Sequence, residues 1–173
     1  ETRSMLHSNK WRYVYRDVEV CYISGPTRCG KTTLITDHFG YQDVHRITDE
    51  ENPWDTYTDQ NIVIFEEFRQ SFSLREMLAW LEGHPVELPA RYFNRQASFT
   101  KIFIISNWPW SKQFEHEREN MPEDYAALMA RIHHNIEFIK QGDSYTIKAH
   151  SPNDLSNIFT NKHGSIPPAI GGD

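Results

Sequence analysis

The sequence predicts one α/β domain in which a central parallel sheet is flanked by helices. Three apolar segments, residues 18–24, 61–67 and 101–107, have the length and composition of buried strands. Segments with helical spacing follow them, and strands that alternate with helices are typical of a parallel sheet covered on both faces. A chain of 173 residues is long enough for one such domain with a sizeable core.

The helical segments carry recognisable start and stop signals. Helices are predicted over residues 30–39, 73–83 and 121–135. The second begins with a capping box, Ser73 to Glu76, and Gly83 ends it. The third begins at Pro122 with two acidic residues in its first turn, as the helix dipole favours. We interpret residues 18–149 as the folded domain, residues 1–17 as a lead-in that could belong to an oligomerisation segment, and residues 150–173 as a mobile tail.

The composition limits the classes of protein to which the chain can belong. Its 38% hydrophobic and 24% charged residues are typical of an ordinary folded domain, and no apolar run approaches the roughly 20 residues that span a bilayer. No membrane partner is therefore expected. The net charge of −6 argues against a broad basic face for DNA but allows a narrow basic element. Cys21 and Cys29 form neither a zinc pattern nor a disulfide framework.

A phosphate-binding loop follows the first predicted strand. The segment GPTRCGKTT has two glycines with four residues between them, then lysine and threonine, and it lies between a predicted strand and a predicted helix. Such a loop directs backbone N–H groups at an anion, where the helix dipole also favours negative charge. The loop residues expected to bind ATP are Gly25, Pro26, Thr27, Arg28, Cys29, Gly30, Lys31, Thr32 and Thr33. Lys31 would reach the β and γ phosphates, and the Thr32 hydroxyl would bind Mg²⁺. The alternative is a structural glycine turn with a surface lysine.

Two adjacent carboxylates end the second predicted strand. The apolar residues from Ile62 to Phe65 lead directly into Glu66 and Glu67, and desolvating even one such charge is costly. A Mg²⁺ ion bound with the nucleotide would compensate them. We assign Glu66 to the metal and Glu67 to the attacking water, as its base. The two roles stay open, since neighbours on a strand face opposite ways. The alternative is a strand that simply emerges into solvent.

The third predicted strand ends in an amide. Asn107 lies one strand beyond the acids, where its side chain could hydrogen-bond both the γ-phosphate and the attacking water. An asparagine after a strand is otherwise most often a turn residue.

These elements, in this order, resemble those of the superfamily 3 helicases. More closely, the chain is similar to the helicase domain of the rolling-circle replication initiators (Rep proteins) of circular single-stranded DNA viruses and related bacterial and phytoplasma plasmids. The resemblance covers residues 16–138. It depends on the segments GPTRCGKTT, NPWDTY, IVIFEEF, HPVELPARYFNRQASFTKIFIISN and ALMARI. Many viral members have Asp-Asp where this chain has Glu66 and Glu67. The resemblance implies an AAA+-like P-loop NTPase fold and an ATP-dependent DNA helicase that acts as a homo-oligomer, a hexameric ring.

The resemblance also implies a DNA-binding hairpin between the acids and the third strand. It matches ELPARYFNRQASFTK, where basic residues alternate with Tyr92, Phe93 and Phe99, a mixture that can pair with phosphates and stack on bases. The residues expected to contact single-stranded DNA are Arg91, Tyr92, Asn94, Arg95 and Lys101. A hairpin with a solvated tip would have the same composition. In a ring of subunits, only the hairpins that contact DNA need to be basic, so the hypothesis is compatible with the net charge of −6 of the chain.

Two further expectations come from the resemblance. Arg131, in LMARI, falls at the arginine finger that reaches the γ-phosphate bound by a neighbouring subunit. On its own, it could be one more cation on a helix face. The segment NPWDTY suggests no role for Trp54 and Tyr57 beyond packing beside the nucleotide.

The nuclease signature of this family does not occur in the chain. There is no His-x-His, and we regard YTIK, with Tyr145 and Lys148, as a coincidental match to the nucleophile motif. The endonuclease domain is therefore expected upstream in the same polypeptide, so the chain would be part of a longer protein. A plasmid-encoded protein would be cytoplasmic, and one from a eukaryotic virus would act in the host nucleus.

The function predicted from the sequence is that of an ATP hydrolase that moves along single-stranded DNA during rolling-circle replication. One alternative is a P-loop small-molecule kinase, although no arginine-bearing lid is evident. The other is a nucleotide-dependent replication scaffold without helicase activity.

Overall fold

The computed structural model describes residues 10–150, which form a mixed α/β fold. The strands are β1 (Glu19–Ser24), β2 (Val44–Ile47), β3 (Ile62–Phe65), β4 (Glu87–Leu88), β5 (Arg95–Gln96), β6 (Lys101–Ser106), β7 (His134–Gln141) and β8 (Ser144–Ala149). The α-helices with both ends in this range are α1 (Lys31–Phe39), α2 (Leu74–Trp80), α3 (Glu115–Asn120) and α4 (Pro122–Arg131), and two short 3-10 helices are formed by Tyr41–Asp43 and Trp110–Lys112.

One sheet organises the domain. Its strand order is β2-β3-β6-β1-β7-β8, and every neighbouring pair is parallel except the hairpin of β7 and β8. The carboxyl ends of β1, β6 and β3 therefore lie side by side at one edge, and the loops that follow these strands meet there. The predicted fold class, a mostly parallel sheet flanked by helices, is confirmed.

Alternate residues of the central strands pack into two separate hydrophobic cores, one on each face of the sheet. On β1, Val20 and Tyr22 pack into an aromatic-rich core with α2 and α4, whereas Cys21 and Ile23 pack against α1 on the other face. Both faces of the sheet are thus covered, which explains why β3 is apolar throughout and why β1 and β6 are apolar between their end residues.

The predicted elements agree with the structure where the sequence pattern is strong. The helix predicted from the capping box is α2, and the Ser73 hydroxyl and Glu76 carboxylate make both capping hydrogen bonds. The second predicted strand stops at Phe65, so the two acids lie just beyond β3 and not within it. The helix predicted over residues 121–135 ends at Arg131, because Ile132 is extended and β7 begins at His134.

The elements that were not predicted include β2, α3 and β7. The strand β2 has only four residues, one of them exposed, and such a segment is too short for periodicity to identify. The helix α3, EHEREN, has no buried residue and hence no apolar face to recognise.

The lead-in contributes to the domain through Arg16, which is 1% exposed. Its backbone N–H donates to the carbonyl of Gly83 at 2.8 Å, and its guanidinium donates to the carbonyl of Phe99 at 2.7 Å. Residues 1–9 and 151–173, which include almost all of the predicted tail, lie outside the described range. None of the helices in residues 10–150 has the length and apolar character required to cross a membrane.

Candidate functional site

The phosphate loop joins the carboxyl end of β1 to α1. Two of its residues have left-handed backbone geometry, Arg28 with φ 61° and Gly30 with φ 90°. The side chain of Lys31 is buried beneath the loop, where its ammonium donates to the carbonyls of Gly25 at 2.9 Å and Pro26 at 2.5 Å. The loop is therefore curved around a fixed positive charge at the start of a helix, an arrangement that suits a phosphate group.

Gly25 is required where β1 turns into this loop. Its φ is 150°, and a Cβ at this position would lie 2.7 Å from the Cβ of Phe138 on β7. Only glycine allows the loop to begin so close to the neighbouring strand.

The loop and the acids are linked by a direct hydrogen bond. The Thr32 hydroxyl donates to Oε1 of Glu66 at 2.9 Å, and the Nε–H of Arg46 on β2 donates to the same oxygen at 3.2 Å. The acid predicted to bind the metal therefore contacts the threonine predicted to bind it. Arg46 was not predicted, because nothing in the sequence indicates that β2 lies beside β3.

Glu67 has a left-handed backbone, with φ 47°. The turn is held on both sides, since the N–H of Glu66 donates to Ile47 at 3.1 Å and that of Phe68 to Ile105 at 2.7 Å. Both carboxylates consequently line the same cleft. Both acids lie beyond the end of β3, so the alternation of side chains along a strand does not assign their two roles.

Asn107 follows β6, the strand that lies between β1 and β3. Its amide donates to the hydroxyl of Thr27 in the phosphate loop at 2.8 Å. A cleft of about 170 Å³ is formed by the loop, the acids and the end of β6. Its lining residues are Thr27, Arg28, Cys29, Gly30, Lys31, Thr32, Thr33, Glu66, Glu67, Ile105 and Asn107. The structure thus brings together most of the residues predicted for the nucleotide, while Gly25 and Pro26 contact Lys31 from the start of the loop.

Gln113 supports this edge of the sheet from behind and was also not predicted. The nitrogen of its fully buried amide, which has two N–H groups, lies 2.9 to 3.1 Å from three acceptors, the Tyr22 hydroxyl, the Phe68 carbonyl and the Ser106 hydroxyl. Burial raises the pKa of Tyr22, so its phenol stays neutral within this network. The network fixes the segments that carry the acids and Asn107.

The oxygen donors at the cleft fit a magnesium ion. Within residues 10–150 no group of three or more His, Cys, Asp and Glu side chains is arranged to hold a metal without other ligands. One carboxylate and one hydroxyl, Glu66 and Thr32, are instead the kind of partial set that binds Mg²⁺ together with substrate phosphates.

The predicted hairpin exists and carries exposed aromatic residues. Tyr92 and Phe93, between β4 and β5, are 90% and 62% exposed. The guanidinium of Arg95 lies 4.4 Å from the centre of the Phe93 ring. The amide of Asn94 donates to Glu87 at 3.3 Å, and Arg91 forms an ion pair with Asp55.

Two residues assigned to the hairpin lie elsewhere. Lys101 is 7% exposed at the start of β6, where it forms an ion pair with Glu19 on β1 at 3.1 Å. Phe99 is fully buried in the aromatic core. Both follow the end of β5, where the chain has already returned to the sheet, so neither is at the exposed tip.

The segment NPWDTY also has a different position from the one expected. Trp54 and Tyr57 are fully buried in the aromatic core and do not line the nucleotide cleft. Trp54 stacks on Phe99 with ring centroids 5.5 Å apart, and Tyr57 is hydrogen-bonded to Ser98. The segment packs beneath the hairpin and not beside the nucleotide.

Arg131 does not reach the cleft of its own chain. It ends α4 three residues before His134, which pairs with Cys21 near the amino end of β1 and hence at the opposite edge from the phosphate loop. Its guanidinium donates to Glu82 at 2.9 Å and to the Ala127 carbonyl at 3.0 Å.

The comparisons with known proteins agree with this geometry. The sequence model of a family described as RNA helicase matches residues 21–107, half of the chain. The match includes the phosphate loop, both acids, the hairpin and Asn107. The comparison with curated proteins gave no match. A nucleotide site of this form, in a domain that this family model covers, shows that the chain belongs to the RNA helicase family.

Proposed function

We propose that this domain hydrolyses ATP and uses the free energy to move along single-stranded DNA. The observation that carries the proposal is that the phosphate loop, Glu66, Glu67 and Asn107 converge on one cleft at the carboxyl edge of the sheet. Membership of a helicase family supports nucleotide-dependent work on a nucleic acid.

Binding of ATP would begin at the loop and the Lys31 ammonium. The ammonium now donates to two loop carbonyls, and it would turn toward the β and γ phosphates when they occupy the loop. Thr32 and Glu66 would hold Mg²⁺, which neutralises charge between these phosphates when bound.

The hydrolytic step would depend on Glu67 and Asn107. Glu67 would accept a proton from the attacking water, and it lines the cleft where that water would bind. The Asn107 amide, 2.8 Å from the Thr27 hydroxyl, is close enough to the phosphate loop to orient the γ-phosphate or the water. Catalysis in such sites is mainly positioning and charge stabilisation.

The nucleic acid would bind at the hairpin. The exposed rings of Tyr92 and Phe93, neighbours on the hairpin, offer faces on which bases can stack. Arg91, Asn94 and Arg95 could pair with phosphates around them. Lys101 is not included, because it is buried in an ion pair with Glu19.

A ring of identical subunits would complete the site. Arg131 would act as the arginine finger for the nucleotide of the next subunit, after it leaves Glu82. We further propose that the chain is the helicase domain of a rolling-circle Rep protein with its endonuclease domain upstream. It would act in the cytoplasm if encoded by a bacterial plasmid and in the host nucleus if encoded by a eukaryotic virus.

The test is the steady-state ATPase rate against protein concentration, alone and with single-stranded DNA or RNA, with Glu67→Gln as the blank. We expect a rate that rises faster than linearly with protein and rises again with DNA. If RNA stimulates the ATPase rate and DNA does not, the nucleic acid along which the protein moves would be RNA, as the description of the family suggests.

Two outcomes would contradict the motor function. An ATPase rate per subunit that does not change with protein concentration or with nucleic acid would favour a small-molecule kinase. The next experiment would then be an assay for a molecule that accepts the phosphate. Nucleotide binding without turnover at high protein concentration would favour a scaffold.

A further inference from the structure

The connection between β2 and β3 supports the hairpin from beneath. The Tyr57 hydroxyl is 2.8 Å from the Ser98 hydroxyl and accepts the Ser98 N–H at 3.1 Å. The Trp54 ring is almost parallel to that of Phe99, with an angle of 6° between them. Both contacts hold the segment that follows β5, which contains Ser98 and Phe99.

The same connection holds the tip through Asp55. One carboxylate oxygen accepts the backbone N–H of Arg91 at 3.0 Å, and the other accepts its Nε–H. The Asp55 side chain is 15% exposed, whereas that of Arg91 is 63% exposed. The pair uses Nε and the backbone N–H, so the two terminal amino groups of Arg91 lie outside it, on the exposed side chain.

Fixing the backbone of Arg91 also fixes the direction in which the next residue leaves the chain. That residue is Tyr92, the most exposed large aromatic side chain in the described part of the protein. A loop and a long side chain that are already ordered lose less conformational entropy when they bind a strand.

We propose that Asp55 is a positioning residue that presents Arg91 and Tyr92 together to single-stranded DNA. The proposal rests on the proposed function, since it assumes that the hairpin binds the strand. Asp55 itself makes no contact with DNA. Its effect is transmitted through Arg91.

The experiment measures the affinity for a fluorescent oligothymidylate by anisotropy, over a series of salt concentrations, in the presence of a non-hydrolysable ATP analogue. The variants are Asp55→Asn, Arg91→Ala and the double variant. Asp55→Asn keeps the size of the side chain and an acceptor for the backbone N–H, but it loses the acceptor for Nε–H. The control is Asp59→Asn, which removes the same charge from the same connection and which the left-handed backbone of Asp59 tolerates.

We expect Asp55→Asn to weaken binding about threefold to tenfold, the loss expected when one long side chain and its loop must be ordered on binding. The salt dependence should not change, because Arg91 still reaches its phosphate in the complex. Arg91→Ala should reduce the slope of log K against log salt by about 0.7, the value for one phosphate of a single strand. Asp55→Asn should have no further effect in the Arg91→Ala background, and Asp59→Asn should bind like the unaltered protein.

Tighter binding by Asp55→Asn than by the control would overturn the proposal and make Asp55 a competitor of the phosphate. Equal losses with and without Arg91 would also overturn it, because Asp55 would then act only through the fold. If Asp55→Asn does not fold, Arg91→Lys tests the same pair, since lysine keeps the charge and loses the Nε–H; full affinity in that variant would refute the proposal. If Arg91→Ala binds the strand normally, the hairpin itself fails as the DNA site.

Discussion

The backbone at Glu67 shows how single residues define the site. A left-handed conformation costs a residue other than glycine about 1–2 kcal/mol, and here it is maintained by hydrogen bonds on both sides of the turn. The result is that two consecutive carboxylates line one cleft. Thr32 donates to one of them, Glu66, and Glu67 is the one that the proposed mechanism assigns to the attacking water.

Glu67→Gln should bind ATP with unchanged affinity and hydrolyse it at least about 100-fold more slowly, since general base catalysis contributes about 10²–10⁴. Glutamine fills the same space but cannot accept the proton. Single-turnover hydrolysis and binding of a fluorescent nucleotide measure the two effects separately. The control is Glu50→Gln, which removes a charge from a second cleft that adjoins the first and that Glu66 and Glu67 also line. Equal turnover in Glu67→Gln and the unaltered protein would refute the assignment of the base.

Gly25→Ala should destabilise the domain by about 2–5 kcal/mol, from overpacking of about 1–3 kcal/mol against Phe138 and about 1–2 kcal/mol of backbone strain. Urea unfolding measures the loss. Gly142→Ala is the matched control, because Gly142 also has a positive φ, 64°, but its Cβ would meet no atom within 4 Å. Gly142→Ala should therefore lose only about 1–2 kcal/mol. Equal losses at the two positions would show that the contact with Phe138 is unimportant.

At the scale of elements, local signals decide where helices begin, whereas tertiary contacts decide where strands pair. The capping box of α2 is complete within four residues, and it can be recognised in the sequence alone. The strand β2 is recognisable only from its parallel pairing with β3, which places Arg46 opposite Ile64. The hairpin is a case between these two. Its composition could be recognised in the sequence, but the residue at which it ends could not.

Ser73→Ala should reduce the free energy of unfolding by about 1 kcal/mol, the usual effect of removing an N-cap hydroxyl. The hydroxyl accepts the Glu76 N–H at 3.1 Å, and alanine leaves that donor without its acceptor. Urea unfolding with Ser73→Thr as the control checks the prediction, because threonine keeps the capping oxygen. If the threonine variant loses as much stability as the alanine variant, the cap is not the cause.

At the scale of the whole molecule, the sequence predicted the parallel sheet and the nucleotide cleft, because both depend on long apolar strands and a contiguous motif. The supporting residues could not be predicted. Arg46 and Asp55 contact groups 20 and 36 positions away in the chain, and Gln113 contacts one that is 91 positions away. Neither spacing nor composition relates such pairs. Lys101 was wrongly assigned to the hairpin because residue type alone does not distinguish a lysine in a pairing strand from one in an exposed loop.

Folding stability should decrease as the pH falls below about 6.5, the ordinary pKa of histidine in an unfolded chain. Burial lowers the pKa of His45, which is 4% exposed, and desolvation also lowers that of His133. The neutral forms are therefore favoured in the folded state. Their contribution is complete above the unfolded pKa and is lost as the pH falls toward the lower folded values.

Urea unfolding between pH 8 and pH 5 measures this loss. Nδ1 of His133 accepts the Val20 N–H at 3.0 Å, so His133→Asn keeps an acceptor and removes one titrating group. That variant should show a smaller loss, with the part due to His45 remaining. Stability that rises as the pH falls over this range would contradict the prediction.

The attachment of Arg16 determines where a gene for the isolated domain should begin. Its guanidinium is the donor for three carbonyls, those of Phe99, Glu82 and His84, and its backbone fits against Gly83 so closely that a Cβ there would lie 1.9 Å from the Arg16 oxygen. A polypeptide that starts at residue 18 would expose this groove and leave those carbonyls without their donor. The first codon should therefore lie upstream of Tyr15, so that the truncated protein retains the residue that closes its own core.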